Sequence, residues 1–158
     1  MHWVTRKGVK FDRTAGAWLI LRFIDPAATF GFLGGEEMAA AIAAGAQPFH
    51  NYAWTGNAAD LPPPEERLNL PGLIAKYKLA ADHPALPIFA ESVRNGERAG
   101  WAKNGCENEG LWAIGNGMWV LAGGDDGGLV ERMLPVYDAL YEFCKLRAAG
   151  SSGWTSDV

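Results

Sequence analysis

Cysteine is scarce: only Cys106 and Cys144 occur in 158 residues, far apart in the chain. That excludes a disulfide framework and the paired-cysteine spacings of zinc and redox motifs. Cys144, inside "YDALYEFCKLR", reads as a small buried hydrophobe. No apolar run reaches the roughly 18–20 residues needed to cross a bilayer. The first residues, "MHWVTRKGVKFD", lack the uninterrupted apolar stretch of a secretory signal. An excess of positive charge is missing as well. The formal net charge is −4, which argues against the basic surface of a general nucleic-acid binder. No internal repeat is evident. These absences point to a cytoplasmic globular protein with neither membrane nor nucleic acid as its partner.

What is present suffices for a core. The chain is 49% hydrophobic and 20% charged, the balance of a folded rather than a disordered protein. The length fits one domain over residues 1–148, with "AGSSGWTSDV", residues 149–158, as a loose polar tail. Seven tryptophans, more than a core needs, could line a small-molecule pocket.

The order of patterns predicts an α/β to mainly α fold: a small N-terminal β-α-β-α-β sheet followed by a helical half. "HWVT" reads as a strand. A helix capped by Asp12 or Thr14 runs to about Ile24 and stops at Asp25-Pro26, because the residue before proline avoids helical angles. "ATFGFL" is a second strand, "EEMAAAIAAG" a helix, and "QPFHNY" a third strand. This alternation predicts a largely parallel sheet. "AWTGNAADLPPPEERLNLPG" reads as a long loop. Helices follow over "PGLIAKYKL", "HPALPIFAESVRNG" (ending at its glycine), "NEGLWAIGNGMWVLAGG" and "GLVERMLPVYDALYEFCKLR". Leu111, Ile114, Met118 and Leu121 share helical spacing in the third of these, and Pro135 should kink the fourth. "GGDDGG" reads as a turn, since it lacks the ligand spacing of a calcium loop.

Chemistry gathers at three places. Arg6, Lys7, Lys10, Arg13 and Arg22 form a basic cluster around the first helix, whose free N–H groups would add positive potential for an oxyanion or carboxylate. The alternative is that Arg13 and Arg22 make structural salt bridges with Asp12, Asp25 or the acids near residue 107. His50, at the end of the third strand, is placed where parallel sheets gather their sites and could serve as acid or base. Glu109, Trp112 and Asn116 share one face of a helix, where a carboxylate against tryptophan would have its pKa raised. Gly115 and Gly117 in that helix cost stability and suggest a close neighbour.

The segment "WVTRKGVKFDRTAGAWLILRFIDPAATFGF", residues 3–32, resembles the start of the C-terminal domain of the chromate-resistance protein ChrB. That family reads W-[IV]-T-R, then a lysine, D-R, and W-L-I-x-R-F-I-D-P-x-A-x-F. "GAQPF", "KYKL", "GLWAI" and "YDALYEFC" also fall where the family has similar segments, so the resemblance covers about residues 3–147. It implies a cytoplasmic domain that senses or handles an oxyanion. The family's usual cysteine and proline before the tryptophan are Gly16 and Ala17 here. Its histidine and cysteine after the third strand are absent, and Gly127 replaces a histidine after Asp125-Asp126. The soft and imidazole ligands that suit a transition metal are therefore replaced, and no metal or cofactor is expected.

Two functions follow. The first is a chromate-resistance-type domain binding an oxyanion or small acidic molecule, with basic residues converging on the anion. The second is a cofactor-independent lyase, isomerase or hydrolase on the same scaffold, acting on an aromatic or apolar substrate. In that case His50, Asp12 or Glu109 would move protons. Arg13 and Arg22 would orient an acidic group, while Trp18, Trp54, Trp112 and Asn116 held the substrate. A third, purely structural domain would show an exposed apolar face and no polar pocket. A homodimer is compatible with each.

Overall fold

A computed structural model describes residues 1–51, 63–98 and 106–150. Three parallel strands form the N-terminal sheet in the order β2-β1-β3. The central strand β1 (His2–Arg6) buries Trp3, Val4 and Thr5; a strand covered on both faces carries apolar and β-branched residues without polar alternation. β2 (Thr29–Leu33) pairs with its whole length. β3 is only Gln47–Pro48, shorter than the expected strand. Pro48 offers no N–H to a ladder, which confines it to a sheet edge.

Helix α1 (Phe11–Leu19) joins β1 to β2 and is buried along most of its length. The expected cap at Asp12 or Thr14 is corrected. Lys10 is the N-cap, without a side-chain cap, and the Thr14 hydroxyl instead bonds the carbonyls of Lys10 and Phe11. From Ile20 to Ile24 the helix widens into a π-helical turn, closed by the Asp25 N–H on the Ile20 carbonyl at 2.7 Å. Asp25-Pro26 ends it, as expected. α2 (Gly35–Ala43) then packs on β1 and returns the chain to β3.

The second half is helical. Part of the expected long loop is ordered into helix. α3 (Pro64–Arg67) is one turn, and α4 (Leu70–Lys76) is capped by Asn69, whose Oδ1 accepts the Gly72 N–H at 3.1 Å. α5 (Ala85–Arg98) runs through Gly96 rather than ending there, because Gly96 lets Leu111 of the next helix lie against its backbone. α6 spans Cys106–Ala122 and α7 Asp126–Ala148. "GGDDGG" is a turn only in its first half. Gly123 and Gly124 adopt left-handed angles, Asp125 caps α7 through the Gly128 N–H, and Asp126 starts the helix.

The core sits between α1, α5 and α7. Trp18 is its centre, with ring centroids of Phe89 at 4.3 Å, Phe23 at 5.4 Å and Tyr141 at 5.5 Å. Trp3, Phe49 and Tyr77 make a second aromatic group behind the sheet. Cys144 is buried, as its sequence context suggests, and burial pushes its thiol up to about 11. Among the described residues no helix is long and apolar enough to cross a membrane.

Candidate functional site

The turn from β1 to α1 has two backbone donors facing one carboxylate. Gly8, at φ +74°, and Val9 give their N–H groups to Asp126 at 2.8 and 2.9 Å. Successive N–H groups of this kind make an anion cradle. Here the cradle holds the protein's own acid from the start of α7. Arg13 closes the same turn from below: its Nη1 donates to the Arg6 carbonyl at 2.7 Å and more weakly to that of Lys7. Burial and then the charge of Arg6 pull the Arg13 pKa down, opposed by Asp126, Glu97 and Asp12. Arg6, Asp12, Arg13, Glu97 and Asp126 thus form one electrostatic neighbourhood.

Asp12 lies one turn into this neighbourhood, on the first turn of α1. His50 comes to it from the carboxyl end of β3, with Nδ1 3.0 Å from Asp12 Oδ2 and both side chains less than one-fifth exposed. The backbone places the imidazole with some strain. His50 sits at φ +45°, a conformation costing a side-chain-bearing residue about 1–2 kcal/mol. The Phe49 N–H on the Val4 carbonyl and the His50 N–H on the Leu68 carbonyl hold it there. The Asp12–His50 separation is an ion-pair distance, with a charge on the imidazole only when it is protonated.

The structure therefore brings His50 to Asp12 and leaves Arg13 within electrostatic reach of Asp12. It places the other candidates elsewhere. Trp18 is buried and gives its indole N–H to Asp138 at 2.7 Å. Arg22, one turn on, grips the same carboxylate with Nε at 2.9 Å and Nη2 at 2.7 Å. A guanidinium stands one turn from a tryptophan because both share one acceptor on α7. Glu109 is exposed on α6, and Trp112 is 40% exposed. Asn116 bonds back to the Trp112 carbonyl at 2.7 Å. It also lines a cavity of about 20 Å³ with Lys10, Phe11, Thr14 and Tyr137, room for one water. Trp54 lies outside the described residues.

Sequence reasoning missed the α7 partners. Tyr137 is fully buried, its hydroxyl 2.7 Å from Thr14 Oγ1 and donating to the Phe11 carbonyl at 3.0 Å; burial raises its pKa. Asp126 and Asp138 complete the set. Asp138 follows Tyr137 in "VYDALY", a charged residue on an aromatic helix face, which was the one available signal.

Gly16, where the resembling family usually has cysteine, is buried, and an added Cβ would meet the Phe49 ring at 3.3 Å. Among the described residues, no three histidine, cysteine, aspartate or glutamate side chains gather as a metal requires.

Comparison with known families matches residues 3–144 to the family described as "ChrB, C-terminal domain". No curated protein and no solved structure matches the chain.

Proposed function

We propose, from the premise that the chain belongs to the ChrB C-terminal domain family, that it binds an oxyanion or small acidic molecule in a chromate-resistance role. The observation that carries this reading is the His50–Asp12 pair where the parallel strands end, beside an Arg13 guanidinium that feels the charges of Arg6 and Asp12. Burial and a neighbouring guanidinium are the two leading costs of charge on Arg13. An incoming oxyanion would relieve both, accepting paired N–H groups from the planar fork. Protonated His50 would add a donor at Nε2, and Asp12 would hold the ring in place.

The same Asp12–His50 contact favours a second reading, proton-transfer catalysis. A carboxylate that orients an imidazole is a recurring device of general acid–base chemistry. His50 would then move the proton and Arg13 would orient an acidic group of the substrate.

The test is a tryptophan-fluorescence titration with chromate, sulfate and a panel of aromatic acids. We expect saturable oxyanion binding, weakened at least tenfold in Arg13→Ala and less in His50→Gln, with both variants folded by thermal melt. Oxyanion binding indifferent to Arg13→Ala would overturn the first reading. A response to aromatic acids alone, with turnover lost in His50→Gln, would establish the second.

A further inference from the structure

The two edges of the sheet differ. At the β3 edge the Phe49 N–H goes inward to the Val4 carbonyl. Pro48 before it has no N–H to offer, and the His50 N–H after it is taken by the Leu68 carbonyl at 2.8 Å. That edge is closed to a further strand. The β2 edge is not. Thr29 gives its N–H to the Met1 carbonyl and the Leu33 carbonyl accepts from Lys7, so Thr29, Gly31 and Leu33 turn their backbone groups to β1. Phe30 and Phe32 turn theirs outward, and none of the described residues pairs with them there. Every residue of β2 is at least partly exposed, whereas Trp3, Val4 and Thr5 beside it are buried. The segment "TFGFL" also lacks the devices that protect an edge, for it has no charge, no proline and no bulge in its register with β1.

We propose that a second copy of the chain joins at this edge, β2 against β2, antiparallel about a two-fold axis through Gly31, so that the two sheets become one. Phe30 then stands opposite Phe32 of the second copy, Thr29 opposite its Leu33, and Gly31 opposite its own counterpart. The phenylalanines form the hydrogen-bonded pairs, and their exchange satisfies every outward N–H and C=O of both strands. Gly31 lies in the pair that does not exchange bonds, where Cα atoms approach to about 4.5 Å. Moving the axis to Phe30 or Phe32 would pair the other phenylalanine with a residue outside the strand.

A two-fold interface needs a patch that complements itself, and "TFGFL" supplies one in both its backbone groups and its aromatic side chains. An axis perpendicular to the sheet keeps the faces together, so the phenylalanine rings of both copies lie on one side as cross-strand pairs. A groove lined by Leu21, Phe30, Phe32, Val130 and Leu134 is open on that side, between β2 and α7. The closed β3 edge decides the size of the assembly. Head-to-tail pairing of β2 on the β3 of another copy would run on into a filament, and Pro48 and the Leu68 carbonyl stand against it. Only the symmetric pair is left, and it ends at two.

Sedimentation equilibrium of the full chain, paired with amide exchange read residue by residue, tests this. We expect a reversible dimer of the 17.0 kDa chain, since a single strand pair is a small interface. The Phe30 and Phe32 amides should exchange freely at dilution and gain at least tenfold protection as the dimer forms. Those of Thr29, Gly31 and Leu33, already turned to β1, should gain less. Thr29→Lys with Leu33→Lys sets like charges opposite each other and should weaken association at least tenfold. Thr29→Lys with Leu33→Glu sets opposite charges in the same places and should restore it. If the Leu33 substitutions unfold the chain, the exchange pattern of the unaltered protein still decides. A monomer at every concentration, or a dimer whose Phe30 and Phe32 amides exchange as in the monomer, would overturn the proposal. Protection of both amides in the monomer would overturn it too and assign the edge to a segment of the same chain.

Discussion

Asp138 accepts three hydrogen bonds, one from the buried Trp18 indole and two from the half-exposed Arg22. The two partners differ in what their loss would cost. Asp138→Asn weakens both contacts, whereas Asp138→Ala leaves a buried N–H unsatisfied, at about 1–3 kcal/mol. Arg22→Ala should cost less than about 1 kcal/mol, since exposed pairs are screened. Urea denaturation of the three variants checks that order. The Arg22 hydrogen bond, ahead of burial, holds the Asp138 carboxyl below its ordinary 3.8. The folded state thus keeps this group ionised where the unfolded chain has protonated it. Its contribution is complete above the unfolded value and disappears as pH falls through the lower native one. Asp138→Asn should therefore flatten the loss of stability below about pH 4. Arg22 and Trp18 stood out in the sequence, but their acceptor lies 116 and 120 residues away. The salt-bridge alternative for Arg22 was thus legible but its partner was not: the acid is Asp138 rather than Asp12, Asp25 or those near residue 107, and no local pattern encodes such a pair.

At the scale of elements, glycines in one helix behave in opposite ways. Gly115→Ala gains about 1 kcal/mol of helix propensity but forces a methyl group into the buried Phe11 ring, an overpacking cost of about 1–3 kcal/mol. We expect a lower melting temperature for Gly115→Ala and none for Gly117→Ala in the monomer, compared by calorimetry. The close neighbour expected at Gly115 is present; at Gly117 none lies within 4 Å among the described residues. Strand and helix order was legible because stop signals such as Asp25-Pro26 are local. The buried side of α6 was not: of the expected stripe Leu111 faces inward, whereas Ile114 and Leu121 face water. Its apolar residues surround the helix, and periodicity assigns a face only where one side is polar. The third strand was overestimated because apolar "PFHNY" ignores the N–H that Pro48 lacks.

The whole molecule is tied together across its length. Asp126, Tyr137 and Asp138 on α7 reach Gly8, Val9, Phe11, Thr14, Trp18 and Arg22 at the start of the chain. Of the candidate site, the members within local reach were legible: His50 at a strand end, Asp12 and Arg13 at a helix start. The Asp126 carboxylate that fills the Gly8–Val9 cradle was not, because filling it depends on the arrangement of the final helix. Asp126→Ala should leave both N–H groups without this acceptor and cost about 1–3 kcal/mol. Faster amide exchange at Gly8 and Val9 than at Thr5 is the measurement that checks it.

That same clasp has a consequence for the making of the protein. A ribosome adds about 5–20 residues per second, so the 117 residues between Val9 and Asp126 correspond to roughly 6–23 s of synthesis. Throughout that interval the first strand and helix exist without the carboxylates and tyrosine that finish them. Trp18 waits for the α7 residues Tyr137, Asp138 and Tyr141 that pack on it. Helix α1 cannot be completed before α7 emerges, and until then Trp18 is what a chaperone at the tunnel exit would meet.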